Sequence, residues 1–209
     1  MTHALVTGNA PALVRVVAGA CGVPCCIADG PEAMERARAE LGNWPDLLIC
    51  VTGTTTEDRL DDDKGLDDAV LRVPRDLAAL SRAFARQALP PGNDADGPRP
   101  MTQIIHVIDQ PPNSATPDQA SLAMAAASLV SMVRIGAQQF APRLRVNAIV
   151  PADHTAHVRN GDAHAGLVTI DSRLPLTSED LAPSLRYLIA TPSITGQVLQ
   201  LRSEPRGSG

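Results

Sequence analysis

Ala141-Pro142-Arg143-Leu144-Arg145-Val146-Asn147-Ala148-Ile149-Val150-Pro151 is the most telling stretch of the chain. Its second half, Arg145–Val150, is a short, mainly apolar run closed by a proline, which predicts a strand. Before it lies Asp118–Phe140, too long for a strand and rich in Ala, Leu and Met, which predicts a helix. Before that comes a second strand candidate, Gln103–Ile108. Strand, helix, strand is the unit from which parallel sheets are built. Outward in both directions the alternation continues. Strands are predicted at Ala4–Val6, Pro24–Ala28, Leu47–Val51 and Gln197–Leu201, and helices at Ala12–Ala20, Pro31–Leu41, Arg75–Leu89 and Ser178–Ala190. The near-continuous apolarity of most strands fits a sheet covered on both faces. Pro90-Pro91 ends the third helix.

The rest of the composition narrows the function classes. A chain of 209 residues with 44% hydrophobic and 20% charged residues supports a real core and excludes disorder throughout. Lys+Arg 18 against Asp+Glu 23 gives a net charge of -5, without the cationic face that nucleic acid requires. Aromatics at 2% leave no stacking platform for single strands. No apolar run is long enough to span a bilayer, and Met1 to Gly8 lacks a signal peptide's pattern. A cytoplasmic protein with neither a nucleic-acid nor a membrane partner is expected.

Cys21, Cys25, Cys26 and Cys50 lie in or beside apolar runs and read as buried small hydrophobes. Cys25 and Cys26 are adjacent in a strand, point to opposite faces and cannot share a metal. Glu57–Asp68, with seven acids and the only lysine, Lys64, reads as a solvated loop, as does Asn93–Pro100. Residues 1–202 are expected to form one domain, with 203–209 a flexible tail.

Four stretches now combine. Ala4-Leu5-Val6-Thr7-Gly8 resembles the first strand and glycine-rich turn of the short-chain dehydrogenase/reductase family, and Asp46-Leu47-Leu48-Ile49 followed by Gly53 resembles its fourth strand. Ala141–Pro151 closely resembles the sixth strand, and Ile194-Thr195-Gly196-Gln197-Val198-Leu199 the last. The resemblance covers nearly the whole chain and is nearest to the 3-oxoacyl-thioester reductase branch. It implies an α/β fold: a doubly wound, mainly parallel, Rossmann-like sheet with helices on both faces. Only one helix separates the second strand from Leu47–Val51. One edge strand-helix unit, the family's third, is therefore expected to be missing, and with it a wall of the adenine site.

The family's chemistry needs a Tyr general acid, a Lys four residues later that lowers the Tyr pKa, and an upstream Ser that holds the substrate carbonyl. Counting back from Ala141-Pro142-Arg143, with one residue deleted before Leu144, places these roles on Leu122, Ala126 and Asp109. The only tyrosine is Tyr187 and the only lysine is Lys64, so no Tyr-x-x-x-Lys exists in the chain. Leu and Ala have no proton to give, and an Asp would repel a developing oxyanion. Pro74 stands about where the family supplies a catalytic Asn. No catalytic residue of the family's kind is therefore expected.

The cofactor positions implied by the resemblance are Gly8, Asp29 and Gly53. Of the three turn glycines only Gly8 remains; the others are Ala12 and Val14, whose side chains would obstruct the pyrophosphate and the close packing of the helix. Asp29 would hold the ribose hydroxyls; its alternative role is a turn residue or a helix N-cap. No cofactor is the expectation, with NAD(P) the alternative.

His154, His157 and His164 lie where the family has its substrate lid, and no carboxylate or thiol pattern completes a metal set around them. His106, inside an apolar strand, reads as a satisfied core histidine. No Gly-x-Ser-x-Gly elbow is present.

Gln119–Val133 contains no charged residue, so its helix is buried on more than one side. In the family this helix packs against a neighbouring subunit, and the last strand makes a second contact. The reading that results is a non-catalytic subunit. It would assemble, through the Gln119–Val133 helix and the C-terminal strand, with an active reductase of the family or with itself. Two alternatives stay open: an atypical NAD(P)-dependent oxidoreductase using Asp109 with His106, and a homo-oligomeric protein that binds a small ligand. Asp109 and His106, three apart on a strand, would point to opposite faces.

Overall fold

The structure is a computed structural model that describes residues 2–30, 32–53, 72–89, 102–108, 120–151 and 178–201. The acidic loop Glu57–Asp68, Asn93–Pro100, Asp109, Gln119, the three lid histidines and the tail lie outside the described residues.

Among the described residues six strands form one sheet: β1 (Ala4–Gly8), β2 (Cys25–Ile27), β3 (Leu47–Thr52), β4 (Thr102–Ile108), β5 (Leu144–Pro151) and β6 (Val198–Leu201). Five helices among the described residues accompany them: α1 (Pro11–Ala20), α2 (Ala33–Leu41), α3 (Val73–Ala88), α4 (Ala120–Phe140) and α5 (Ser178–Ala190). The strand order is β2-β1-β3-β4-β5-β6, and every pairing is parallel. The doubly wound, Rossmann-like sheet predicted from the sequence is therefore present, with β2 at its edge where a further strand-helix unit would continue it.

The all-apolar strands explain the layering. Every residue of β3 is buried, because successive side chains point to opposite faces and both faces are covered. Leu48, Cys50, Ile104 and Val146 pack under α2, α3 and α4. Leu47, Ile49, Ile105 and Ile149 pack under α1 and α5 through Val14, Val17, Leu181 and Leu185. Side chains of Leu or Ile buried this fully contribute roughly 2 kcal/mol each. Ending the sheet at β2 does not open the core: Cys26 and Ala28 are covered on the α2 side, and the exposure falls on Ile27, on the other face, at 52%.

Element boundaries follow local chemistry. Helix α3 begins at Val73, earlier than expected, because Pro74 suits a first helical turn, where no N–H is needed. Helix α2 begins at Ala33 rather than at Pro31 and ends on Gly42.

Two buried polar groups tie the last elements together. Arg145 Nη1 donates to the carbonyls of Leu188 and Thr191, at 2.9 and 2.7 Å. Arg145 Nη2 donates to Gln103 Oε1 at 2.8 Å and to Ile189 O at 3.4 Å. The cation thus sits on the negative C-terminal end of α5. Asn147 Nδ2 donates to Ile194 O, and its Oδ1 accepts from Gln197 N–H at 3.0 Å, which seats the segment entering β6 against β5.

Candidate functional site

The chain leaves β1 for β2 on one side and returns to β3 on the other. The crevice at a switch of this kind, beyond the C-terminal strand ends, is where open parallel sheets bind ligands. Its rim here is Gly8, Asn9 and Gly53. Gly8 has φ +153 and faces β3 so closely that a Cβ would fall on Val51 O. Only glycine permits that approach. Asn9 holds the other side of the seam: Gly53 N–H donates to Asn9 Oδ1 at 2.9 Å, and Asn9 Nδ2 donates to Gly53 O at 3.4 Å. The side-chain amide imitates one rung of a strand pair and joins the two loops. Asn9 was not singled out from the sequence, because its partner is far away along the chain.

Helix α1 opens on this rim with no side-chain cap and Pro11 in its first turn. Its first free N–H groups therefore belong to Ala12 and Leu13. Ala12 is exposed there, whereas Val14 is a core residue. It fills the space between α1 and the sheet and becomes part of that packing.

Asp29 lies past the end of β2 with its carboxylate turned onto its own backbone: Gly30 N–H donates to Oδ1 at 2.7 Å. Arg36 donates to the Asp29 carbonyl. The side chain plays the turn role rather than a helix cap, since α2 takes Glu32 as its N-cap. A dinucleotide fits this rim in part. The Gly8 approach and the open α1 terminus suit a pyrophosphate, while the Asn9 amide and one oxygen of Asp29 are already engaged by backbone.

Leu122 and Ala126, the positions to which the resemblance assigns the family's acid and lysine, fall on α4. Leu122 stands in its first turn, and Ala126 one turn later is 2% exposed, packed into the α2–α3–α4 side of the core. Asp109, beyond β4, lies outside the described residues. Among the described residues no group of three metal-ligating side chains comes together.

His106 corrects an expectation. It is buried, at 1% exposure, but its Nδ1 has no hydrogen-bond partner among the described residues. Its strand neighbours in register are Cys50 and Ala148. Desolvation pushes its pKa down to about 4, so the ring is neutral at ordinary pH. Desolvation likewise pushes the Cys50 thiol up to about 12. Neither is a base or a nucleophile in this state. Cys25 corrects another expectation, because it is only half-buried.

No family model and no curated protein matches the chain in sequence. Many solved structures match it in shape. A FolM alternative dihydrofolate reductase 1 from Brucella canis, complexed with NADP, superposes with a TM-score of 0.65 at 22% identity, over 99% of this chain and 96% of that one. A short-chain dehydrogenase/reductase from Serratia marcescens gives 0.66 at 20%, over 96% and 95%. The fold is that of the short-chain dehydrogenases/reductases. A second FolM protein, from Brucella suis and also in complex with NADP, gives 0.61 at 23%, over 96% and 93%.

Proposed function

We propose that the chain is a non-catalytic, cytoplasmic subunit with a short-chain dehydrogenase fold. It assembles with an active reductase of that family whose substrates are acyl thioesters. The observation that carries this reading is α4. The position that aligns with the family's lysine is a buried alanine, no Tyr-x-x-x-Lys occurs in the sequence, and the opposite face of the same helix carries exposed side chains. That face presents Met124 at 43% and Ile135 at 61% exposure, with Ala127 and Ser131 between them. Small residues at helical spacing allow another helix to approach closely, and burying the two large ones would add a few kcal/mol of association energy.

The test is to purify the tagged chain from its native host, identify what co-elutes and assay NADPH oxidation by the complex. The expected result is a stoichiometric reductase with an intact Tyr-x-x-x-Lys, whose activity survives Asp29→Ala and Asp109→Ala in this chain. A lone homo-oligomer that oxidises NADPH and loses activity with Asp109→Ala would overturn the reading.

One observation favours a second reading, an atypical NAD(P)-dependent oxidoreductase. Gly8 still gives β3 the close approach, and structures of similar shape are complexed with NADP. Micromolar NADPH binding by the isolated chain would support it.

A further inference from the structure

Helix α1 ends at Ala20 and β2 begins at Cys25, so the chain turns back within Cys21-Gly22-Val23-Pro24. Gly22, at φ +70, supplies the left-handed step that makes the turn possible. The turn brings two thiols to one point. Cys21 Sγ donates to Ala18 O at 3.1 Å, and Cys25 Sγ reaches the same oxygen at 3.8 Å. Cys21 Sγ also lies 3.4 Å from Val23 O, so its thiol is held inside the same turn that leads to Cys25. We propose that Cys21 and Cys25 form an oxidisable dithiol that closes to a disulfide and staples the end of α1 to the start of β2.

Selectivity follows from what surrounds the other two cysteines. Cys26 points to the opposite face of β2, where its thiol donates to Glu40 at 3.1 Å. Cys50 is sealed inside the core under α2, α3 and α4. Of the close pair, Cys25 is partly exposed and Cys21 is 1% exposed. Cys25 is therefore the thiol that meets an oxidant, and Cys21 the one that resolves the adduct.

The chemistry balances with glutathione disulfide as oxidant. Cys25 loses its proton and attacks one sulfur, forming a mixed disulfide and releasing one glutathione thiol. Cys21 then loses its proton, attacks Cys25 Sγ and expels the second glutathione. Two protein thiols are oxidised and one glutathione disulfide is reduced to two thiols.

Burial, and then the neighbouring Cys21, push the Cys25 thiol up to about 11. The reduced pair thus lacks the thiolate stabilisation that makes catalytic dithiols strongly oxidising. Closure is slow, but the bond once formed is hard to reduce. The staple acts on β2, a three-residue strand paired on one side only among the described residues.

The intact protein is equilibrated in glutathione buffers stepped from reducing to oxidising, denatured, alkylated and digested. One tryptic peptide, Val16–Arg36, carries three of the cysteines. It is expected to lose the mass of two hydrogens and to retain a single alkylated thiol, located by fragmentation at Cys26. Cys25→Ser abolishes the loss, and Cys21→Ser halts at a glutathione adduct on Cys25. Should Cys21→Ser fail to fold, a higher melting temperature of the oxidised wild type, absent in Cys25→Ser, reads the same closure. Three alkylated thiols at the most oxidising poise, a lasting glutathione adduct on wild-type Cys25, or a Cys25–Cys26 bond would each overturn the proposal.

Discussion

Strand β4 carries a polar side chain toward each face of the sheet, and the two meet different surroundings. Gln103, on the α1–α5 side, stands in register with Arg145 and accepts a hydrogen bond from it through Oε1, while its own Nε2 and Arg145 Nε have no partner among the described residues. The guanidinium is desolvated, which lowers its pKa, yet carbonyls at the end of α5 surround it. His106, on the side of α3 and α4, keeps an unpartnered Nδ1 and stays neutral. The difference lies in what covers each face. A helix C-terminus offers orphan carbonyls to a cation, whereas the middle of a helix presents only side chains. Buried charge is tolerated on one side of this sheet and excluded on the other.

Adding a cation to the excluding side tests this contrast most severely. Ala126→Lys, made together with Leu122→Tyr, restores the family's motif on paper but places an ammonium among buried apolar groups. The double variant is expected to lose on the order of 4 kcal/mol in urea unfolding and to gain no NADPH oxidation. Wild-type stability together with reductase activity would show that α4 was ready for catalysis, and the proposed subunit role would fall.

Removing the cation from the tolerant side comes next. Arg145→Met keeps much of the volume and leaves the carbonyls of Leu188, Ile189 and Thr191 without their donor. A loss of about 3 kcal/mol is expected by calorimetry or denaturant unfolding, with α5 and β6 the first to lose amide protection. An unchanged midpoint would mean that water replaces the guanidinium there, and that the two faces differ less than their hydrogen bonds suggest.

Which parts of this were legible in the sequence depended on how far apart the interacting groups lie along the chain. The strands were, because runs such as Leu47–Val51 declare burial on both faces by themselves. The absence of an edge unit was legible only through resemblance, since counting elements requires a reference. The engagement of Asn9 with Gly53 was not, because an amide next to a glycine is compatible with any turn. Periodicity placed His106 in the core but could not show that one nitrogen would lack a partner, which depends on three separate elements. The alternation rule correctly sent Cys25 and Cys26 to opposite faces, yet it said nothing of Cys21, which approaches Cys25 from the end of a helix rather than along the strand. Asp29 had its turn role offered beside its cofactor role, and its bond to Gly30 N–H is compatible with the first.

The smallest expected effect concerns His106 itself, and its sign is informative. Its folded pKa, about 4, lies below the value of 6.5 for a free histidine, so the unfolded chain binds more protons between those values. The histidine's contribution is fully present above about pH 6.5 and is lost as pH falls toward 4. That amounts to about 2 kcal/mol between pH 7 and pH 5. His106→Leu removes this dependence and also the unsatisfied nitrogen. The variant should then be about 1 kcal/mol more stable than the wild type at pH 7, with a wider gap at pH 5. A leucine variant that is less stable at pH 7 would mean that the imidazole is held by a partner after all. The excluding face would then have a polar contact of its own, and the contrast with Arg145 would be one of degree.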